Sequence, residues 1–225
     1  MIAPRFTPVA DTGLLVSFAD EMSADAHAAV GQLDHAVASD PPPGVLEQVP
    51  AFVNLLVRFD PLVTDHAALE EALRALWAGA GSVSRPTQER RVEVCYDAEF
   101  APDLPAVAKA VGLSEEEVIA AHLSGDYEVA LYGFAPGYAY LTGVPEVIQV
   151  PRKPAPVRDI PAGSVMIAAG QCLVTTLKMP TGWSIIGRSP TPILTDDPDR
   201  PALFDVGDKV VFERIDRATL EARGG

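Results

Sequence analysis

Tyr132-Gly-Phe-Ala-Pro-Gly-Tyr-Ala-Tyr-Leu141, Pro151-Arg-Lys-Pro154, Ile160-Pro-Ala-Gly-Ser-Val165, Ala169-Gly-Gln171 and Pro180-Thr-Gly-Trp-Ser-Ile-Ile-Gly-Arg-Ser-Pro190 follow one another between Leu131 and Pro190. Glycine permits positive φ and close backbone approach, whereas proline fixes φ and removes a donor. Set between short apolar runs, they mark turns and shaped loops rather than helix. Around this stretch the runs Glu128–Tyr132, Ser164–Ala168, Leu173–Leu177, Ser184–Ile186 and Lys209–Phe212 read as short strands. Many short strands with such punctuation predict a sandwich or small closed barrel.

Upstream the pattern changes. Leu14–Phe18 reads as a strand, and Ser23 opens a helix with Ala26, Val30, Leu33 and Val37 at helical spacing. Pro41-Pro-Pro-Gly44 ends it, and Val45–Val49 and Phe52–Phe59 follow as strands. A second amphipathic helix is predicted over 65–77, and Arg91–Tyr96 alternates as a further strand. The order β-α-β-β-α-β predicts a ferredoxin-like unit. The boundary falls in the Gly79–Thr87 loop, so residues 1–84 form the first domain and 85–225 the second, although the Arg91 strand suits either side. The second domain begins with two short helices, one starting at Pro102 and one capped by the Ser114-Glu-Glu-Glu117 box.

Length and composition narrow the class. At 225 residues, 48% hydrophobic and 21% charged, the chain suits one large or two small globular domains and is not disordered. No apolar run approaches the roughly 20 residues that cross a bilayer. The N-terminus lacks a basic region followed by an apolar core, so a cytoplasmic location is expected. Cys95 and Cys172 have no metal-type spacing, and no metal site is expected. A net charge of −14 argues against nucleic acid or an anionic membrane as partner, and by itself serves solubility.

Against that acidity, the cations Arg152, Lys153, Arg158 and Arg188 in Pro/Gly loops suggest an anion site, with pairing to surface carboxylates as the plainer alternative. The latter is expected for Lys153. Gln171, Arg158 and Arg188 are the strongest candidates, because burying such groups without a partner is costly. Phe134, Tyr140 and Trp183 either line the same site or fill the barrel. No phosphate-binding glycine loop, nucleophile elbow or zinc-protease helix is present. His122 ends the capped helix, where a cation suits the carbonyl end of the dipole. Cys172 has no histidine nearby in sequence to activate it as a nucleophile. Asp97, Glu99 and Asp103 suit a solvated helix start, with a general base as the alternative.

Taken in order, the motifs resemble the family that holds allophanate hydrolase subunit 1 and the B subunit of 5-oxoprolinase. That family includes an inhibitor of a sporulation histidine kinase, and its domain recurs in urea carboxylase. The shared pieces are Gly133-Phe-x-Pro-Gly-Tyr-x-Tyr-Leu141, Pro151-Arg152, Pro161-Ala-Gly-Ser-Val165, Gly170-Gln171, Gly182-Trp183, Ile186-Gly-Arg-Ser-Pro190 and Val206-Gly-Asp208. The likeness extends upstream through Gly112-Leu-Ser-x-Glu-Glu-Val-Ile-Ala-x-His122 and covers nearly the whole chain.

The resemblance implies an α+β protein, with a ferredoxin-like N-terminal domain followed by a cyclophilin-like β-barrel C-terminal domain. It implies a non-autonomous component of an ATP-dependent amide or lactam hydrolase, a 5-oxoprolinase or allophanate hydrolase, that works with a larger second subunit. The alternative it implies is a binding module that inhibits a sensor histidine kinase. Prolyl isomerisation follows from the fold analogy alone. The expected substrate-binding set is Gln171, Arg158, Arg188, Phe134, Tyr140, Arg152 and Trp183, with ATP consumed by the complex and no catalytic residue assigned. The sequence departs from the family pattern at Cys172-Leu-Val-Thr-Thr176 and Met179-Pro-Thr-Gly182, where the loop around the site is altered.

Overall fold

The computed structural model describes residues 2–79 and 87–224, so most of the expected Gly79–Thr87 loop lies outside the described residues. The chain divides into two compact units, Met1–Pro86 and Thr87–Gly225.

In the first unit, β1 (Arg5–Val9), β2 (Gly13–Ser17), β3 (Val45–Pro50) and β4 (Asn54–Phe59) make an antiparallel sheet in the order β1-β2-β4-β3. Period-two alternation turns Leu14, Val16, Leu55, Val57 and Phe59 to one face. There they pack with α1 (Ala24–Ser39) through Val30 and Leu33, and with α2 (His66–Gly79) through Leu69 and Leu73. The Ser23 hydroxyl accepts from the Ala26 amide and starts α1 where the sequence places it. The expected β-α-β-β-α-β order is not what this sheet follows. Its outer position beside β2 is held by β1, and the Arg91 strand belongs to the other unit. Pro8 hides β1 from a propensity reading, yet an edge strand tolerates proline because the missing donor faces no partner.

The second unit is a curled sheet of β5 (Glu89–Val94), β6 (Tyr127–Tyr132), β7 (Ala139–Thr142), β9 (Ser164–Ala168), β10 (Gln171–Val174), β12 (Ser184–Arg188) and β13 (Lys209–Arg214). Their order is β12-β9-β10-β7-β6-β13-β5. Every pair is antiparallel except β13–β5, which is parallel over Lys209↔Glu89 to Arg214↔Val94. The two ends of the sheet meet at Cys95 and Arg188, whose amides and carbonyls exchange bonds of 2.8 and 2.9 Å. The barrel is therefore nearly closed.

Alternate residues on these strands point to two different cores. Val92, Val129, Leu141, Ile167, Cys172 and Ile186 face the larger one, which also takes Leu104 and Val107 of α3 (Leu104–Val111) and Val118 of α4 (Glu115–Leu123). Met166, Leu173 and Ile185 face the smaller one with Tyr138 and Trp183. A ribbon of β8 (Val157–Ile160) and β11 (Met179–Thr181) supplies Ile160 and Met179 to it. A last helix, α5 (Arg217–Ala222), follows β13.

Helix α3 starts at Leu104, not Pro102. The Asp103 carboxylate makes no cap bond and instead accepts from the Ile185 amide at 2.7 Å and Lys153 Nζ at 2.6 Å. The Ser114 box forms as expected, with Glu117 accepting from the Ser114 amide and Ser114 accepting from the Glu117 amide.

Candidate functional site

The turn between β6 and β7 is tightly constrained. The Ala135 amide donates to the Gly133 carbonyl at 2.9 Å, closing a γ-turn centred on Phe134, whose φ is +73°. A γ-turn with positive φ at its centre is rare and strained, and such positions cost about 1–3 kcal/mol in a non-glycine residue. A second turn brings the Tyr138 amide to the Ala135 carbonyl at 3.0 Å. The Thr176 hydroxyl donates to the Pro136 carbonyl at 2.7 Å. Gly137 has φ +68°, a conformation that favours glycine, and a Cβ there would lie 2.6 Å from Leu194 Cδ2 and displace that side chain. The Phe134 side chain held out by this loop is 75% exposed.

From Phe134 a run of rings leads across the barrel. Phe134 and Tyr138 have centroids 5.4 Å apart, Tyr138 and Tyr140 5.7 Å, and Tyr140 and Trp183 5.9 Å. The Arg152 guanidinium lies 5.3 Å from the Trp183 ring centre, in reach of a cation–π contact. Five side chains from three stretches of sequence thus form one continuous strip, and four of them (Phe134, Tyr140, Trp183 and Arg152) belong to the set expected from the sequence. Tyr138 is the addition. Burial pushes its phenol up to about 12, with Tyr140 reinforcing and Arg152 opposing, so at neutral pH it keeps its proton as a donor. Tyr138 is nearly buried while Tyr140 is half-buried, so the strip is part core and part surface.

The remaining expected residues separate. Gln171 starts β10 and by alternation shares the face of Leu173, in the core that holds Trp183. Its amide has no side-chain partner among the described residues. Arg158 lies apart on β8, exposed beside Lys178, Met179 and Pro180 at a shallow cleft of about 510 Å³. Arg188 sits at the barrel seam, paired with Ser164 at the start of β9, whereas Gln171 pairs with Ala168 at its end. Four residues of strand separate those rows by about 13 Å. The Arg188 guanidinium lies 5.9 Å from the Phe100 ring centre, and its buried Nε finds no partner. Burial holds its pKa below the usual arginine range.

Charge pairing sorts the cations. Lys153 binds Asp103, as expected, and Lys178 binds Asp159. Arg152, Arg158 and Arg188 have no carboxylate partner among the described residues. Of the carboxylates weighed as a base, Asp103 is committed to Lys153 and Ile185, and Glu99 pairs with Arg217 at 2.8 Å.

The sequence gives no hint of the contact between His122 and Cys172. His122 Nδ1 lies 2.8 Å from the Tyr96 hydroxyl and Nε2 3.5 Å from Cys172 Sγ, all inside the larger core. His122 is not the helix-end cation expected from its position. Burial holds its imidazole down to about 3, and therefore neutral. Burial also pushes the Cys172 thiol and the Tyr96 phenol up. A neutral imidazole beside a fully buried, protonated thiol supplies packing and hydrogen bonds, not a nucleophile.

Among the described residues, no group of three or more His, Cys, Asp or Glu is placed to hold a metal ion. No described helix is long and apolar enough to cross a membrane.

The chain is similar to known proteins. Residues 4–204 match the carboxyltransferase domain, subdomain C and D. The chain belongs to that family. It is similar to the B subunit of 5-oxoprolinase from Bacillus subtilis strain 168, with 35% identity over 231 residues that cover 94% of this chain and 93% of the relative. The crystal structure of TTHA0988 superposes with a TM-score of 0.79 at 33% identity over 91% of this chain, which spans only 40% of that longer chain. The Kluyveromyces lactis urea amidolyase shares the fold at a TM-score of 0.76 and 16% identity, over 97% of this chain and 15% of its own.

Proposed function

We propose that this chain is the B-type component of an ATP-dependent 5-oxoprolinase and works with a larger second subunit. The observation that carries the reading is the 35% identity to a 5-oxoprolinase component of that type over nearly the full length of both chains. The chain's own chemistry favours a supporting rather than a self-sufficient role. It offers a strip of rings, a guanidinium without a carboxylate partner among the described residues and a free carboxamide, while the His122–Cys172 contact is buried and inert.

A lactam is a poor electrophile. In the proposed reaction the γ-phosphoryl group of ATP moves to the lactam oxygen and ADP leaves. A first water adds to the activated carbon, and the ring C–N bond breaks with protonation of the amine. A second water then releases phosphate and glutamate. Within that scheme Arg152, stacked on Trp183, holds the substrate carboxylate or the transferring phosphoryl group. Gln171 hydrogen-bonds the lactam amide, and the Tyr138 hydroxyl donates to an oxygen. Phe134 and Tyr140 extend the wall of this strip. Arg158 and Arg188 stand outside it, on the ribbon and at the barrel seam.

The test is co-purification of this chain with the larger 5-oxoprolinase-type subunit of the same organism, followed by ATP hydrolysis with and without 5-oxoproline. Lactam-stimulated hydrolysis that falls at least 10-fold in Arg152→Ala or Gln171→Ala supports the assignment. A complex that hydrolyses no more ATP with 5-oxoproline than without it refutes the substrate.

A further inference from the structure

Phe134 stands at the end of the ring strip, but most of its surface faces away from it. Beside it lies a cleft of about 740 Å³. Phe134 and Pro136 form one wall, and Leu194, Pro201 and Ala202 the other. Both walls are fixed. The Phe134 loop is held by its two turns, by Thr176 and by the close approach of Gly137 to Leu194. The opposite wall is tied by the Leu194↔Ala202 bridge and by the Tyr132 hydroxyl, which donates to the Phe204 carbonyl at 2.8 Å.

The strain at Phe134 is not returned inside this chain. A large aromatic in a positive-φ turn gains little from folding when it stays three-quarters exposed and touches Tyr138 with one side of its ring. The outlier makes sense if the ring is buried by something else, since a rigid, preformed aromatic loses little freedom on binding. The rim defines what that something carries. Asp199, Arg200 and Asp205 line the cleft; Asp205 is paired with Arg200 at 3.7 Å and Arg90 at 3.6 Å, whereas exposed Asp199 and its loop neighbours Asp196 and Asp197 have no cationic partner among the described residues. An anionic lactam or a nucleotide does not suit a cleft edged by Asp199 and the acidic segment 196–199. A protein surface bearing lysine or arginine around an apolar recess does.

We propose that the Phe134 prong and the adjoining acid-rimmed cleft are the docking surface for the larger second subunit, which receives the ring in an apolar recess and meets the aspartates with basic side chains. The inference rests on the reading of this chain as a B-type component. It places the partner against the outer end of the ring strip, so that docking covers the strip's open flank.

The experiment measures the dissociation constant between the full chain and the larger subunit of the same organism, by titration calorimetry without ATP or 5-oxoproline. Phe134→Gly is the decisive variant, because glycine adopts φ +73° without strain. It is expected to weaken the complex at least 10-fold while the melting temperature of the free chain does not fall. Phe134→Tyr is expected to restore affinity to within about 3-fold of wild type. Asp199→Lys is expected to weaken the complex and to flatten its loss of affinity between 50 and 500 mM salt. A wild-type complex that tolerates Phe134→Gly within 2-fold overturns the docking surface and leaves the reading of the chain as a complex component standing. Absence of any wild-type complex overturns that reading, and this inference with it.

Discussion

His122 shows how a residue's surroundings override its place in the sequence. At the end of a capped helix it suits a cation, yet the helix delivers it into a core lined by Tyr96, Tyr127, Phe212 and Cys172. Desolvation there outweighs the helix dipole, because the dipole is worth at most about 2 kcal/mol whereas full burial shifts a histidine by several units. The consequence is a pH dependence of stability. Folded His122 binds its proton only near pH 3, while in the unfolded chain it does so near the ordinary value of about 6.5. Between those values the unfolded state holds more protons, so stability is full above about pH 6.5 and is lost as pH falls through the window. The loss is on the order of 1.4 kcal/mol per pH unit. His122→Asn keeps a hydrogen-bonding group and removes the titration. Urea midpoints at pH 7.5, 6, 5 and 4 are expected to fall more steeply for wild type than for the variant. Parallel curves would sink this account.

Among the elements, the seam between β5 and β12 is what makes the sheet a barrel. Gly187 lies where β12 shifts register against β9, and a Cβ there would meet Val94 Cγ1 at 2.5 Å and the Cys95 carbonyl oxygen at 3.1 Å. The neighbouring atoms belong to a packed β-branched side chain and to backbone, so they give way only by moving the seam. Gly187→Ala is expected to destabilise by about 1–3 kcal/mol, the usual cost of overpacking. At about 2–4 °C per kcal/mol for a chain of this size, thermal melting reads that as a drop of several degrees. An unchanged melting temperature would mean the seam is looser than its geometry. The same seam explains Arg188. Its backbone closes the ladder and its side chain lies over Phe100, so the motif Ile186-Gly-Arg-Ser-Pro190 reads as a closing device more than as a binding loop.

For the molecule as a whole, the assignment of β5 decides what an independent unit contains. Residues 89–94 read locally as a free alternating strand, but their partner is β13, more than a hundred residues later, in the barrel's only parallel pair among the described strands. Expression of residues 87–225 is therefore expected to yield a cooperatively melting β-rich protein. Expression of 97–225, which lacks β5, is expected to expose the edge of β13 and the core around Phe212, and to aggregate or stay unfolded. Circular dichroism and size exclusion distinguish the two, and equal behaviour of both fragments would contradict the pairing.

Most of what lies close in the chain was legible from the sequence. Ser23 and Ser114 announce their helices because a cap is a local hydrogen bond. The alternating runs at Ser164–Ala168 and Lys209–Phe212 announce strands because side-chain period is a property of the backbone itself. The Gly/Pro punctuation of residues 131–190 announces a small barrel, and its motif order announces the family. Strands β1, β8 and β11 were not legible because Pro8, Arg158–Asp159 and Pro180 carry weak local preference, and β7 was not because its four residues follow directly on the Gly/Pro turn; all four are held by their ladder partners.

Read alone, the order of residues establishes the second unit's class, its turn-rich loops and the set of aromatic and cationic side chains available for binding. Folding in three dimensions settles which of them meet. Arg152 reaches Trp183 and joins Tyr140 and Phe134 in one strip, Arg158 and Arg188 are carried elsewhere by the ribbon and the seam, and His122 finds Cys172 across fifty positions. The division arises because caps, turns and alternation are set by neighbours along the chain. Pairing between strands and the burial of charge are set by a closed ladder that brings together residues with no local claim on one another.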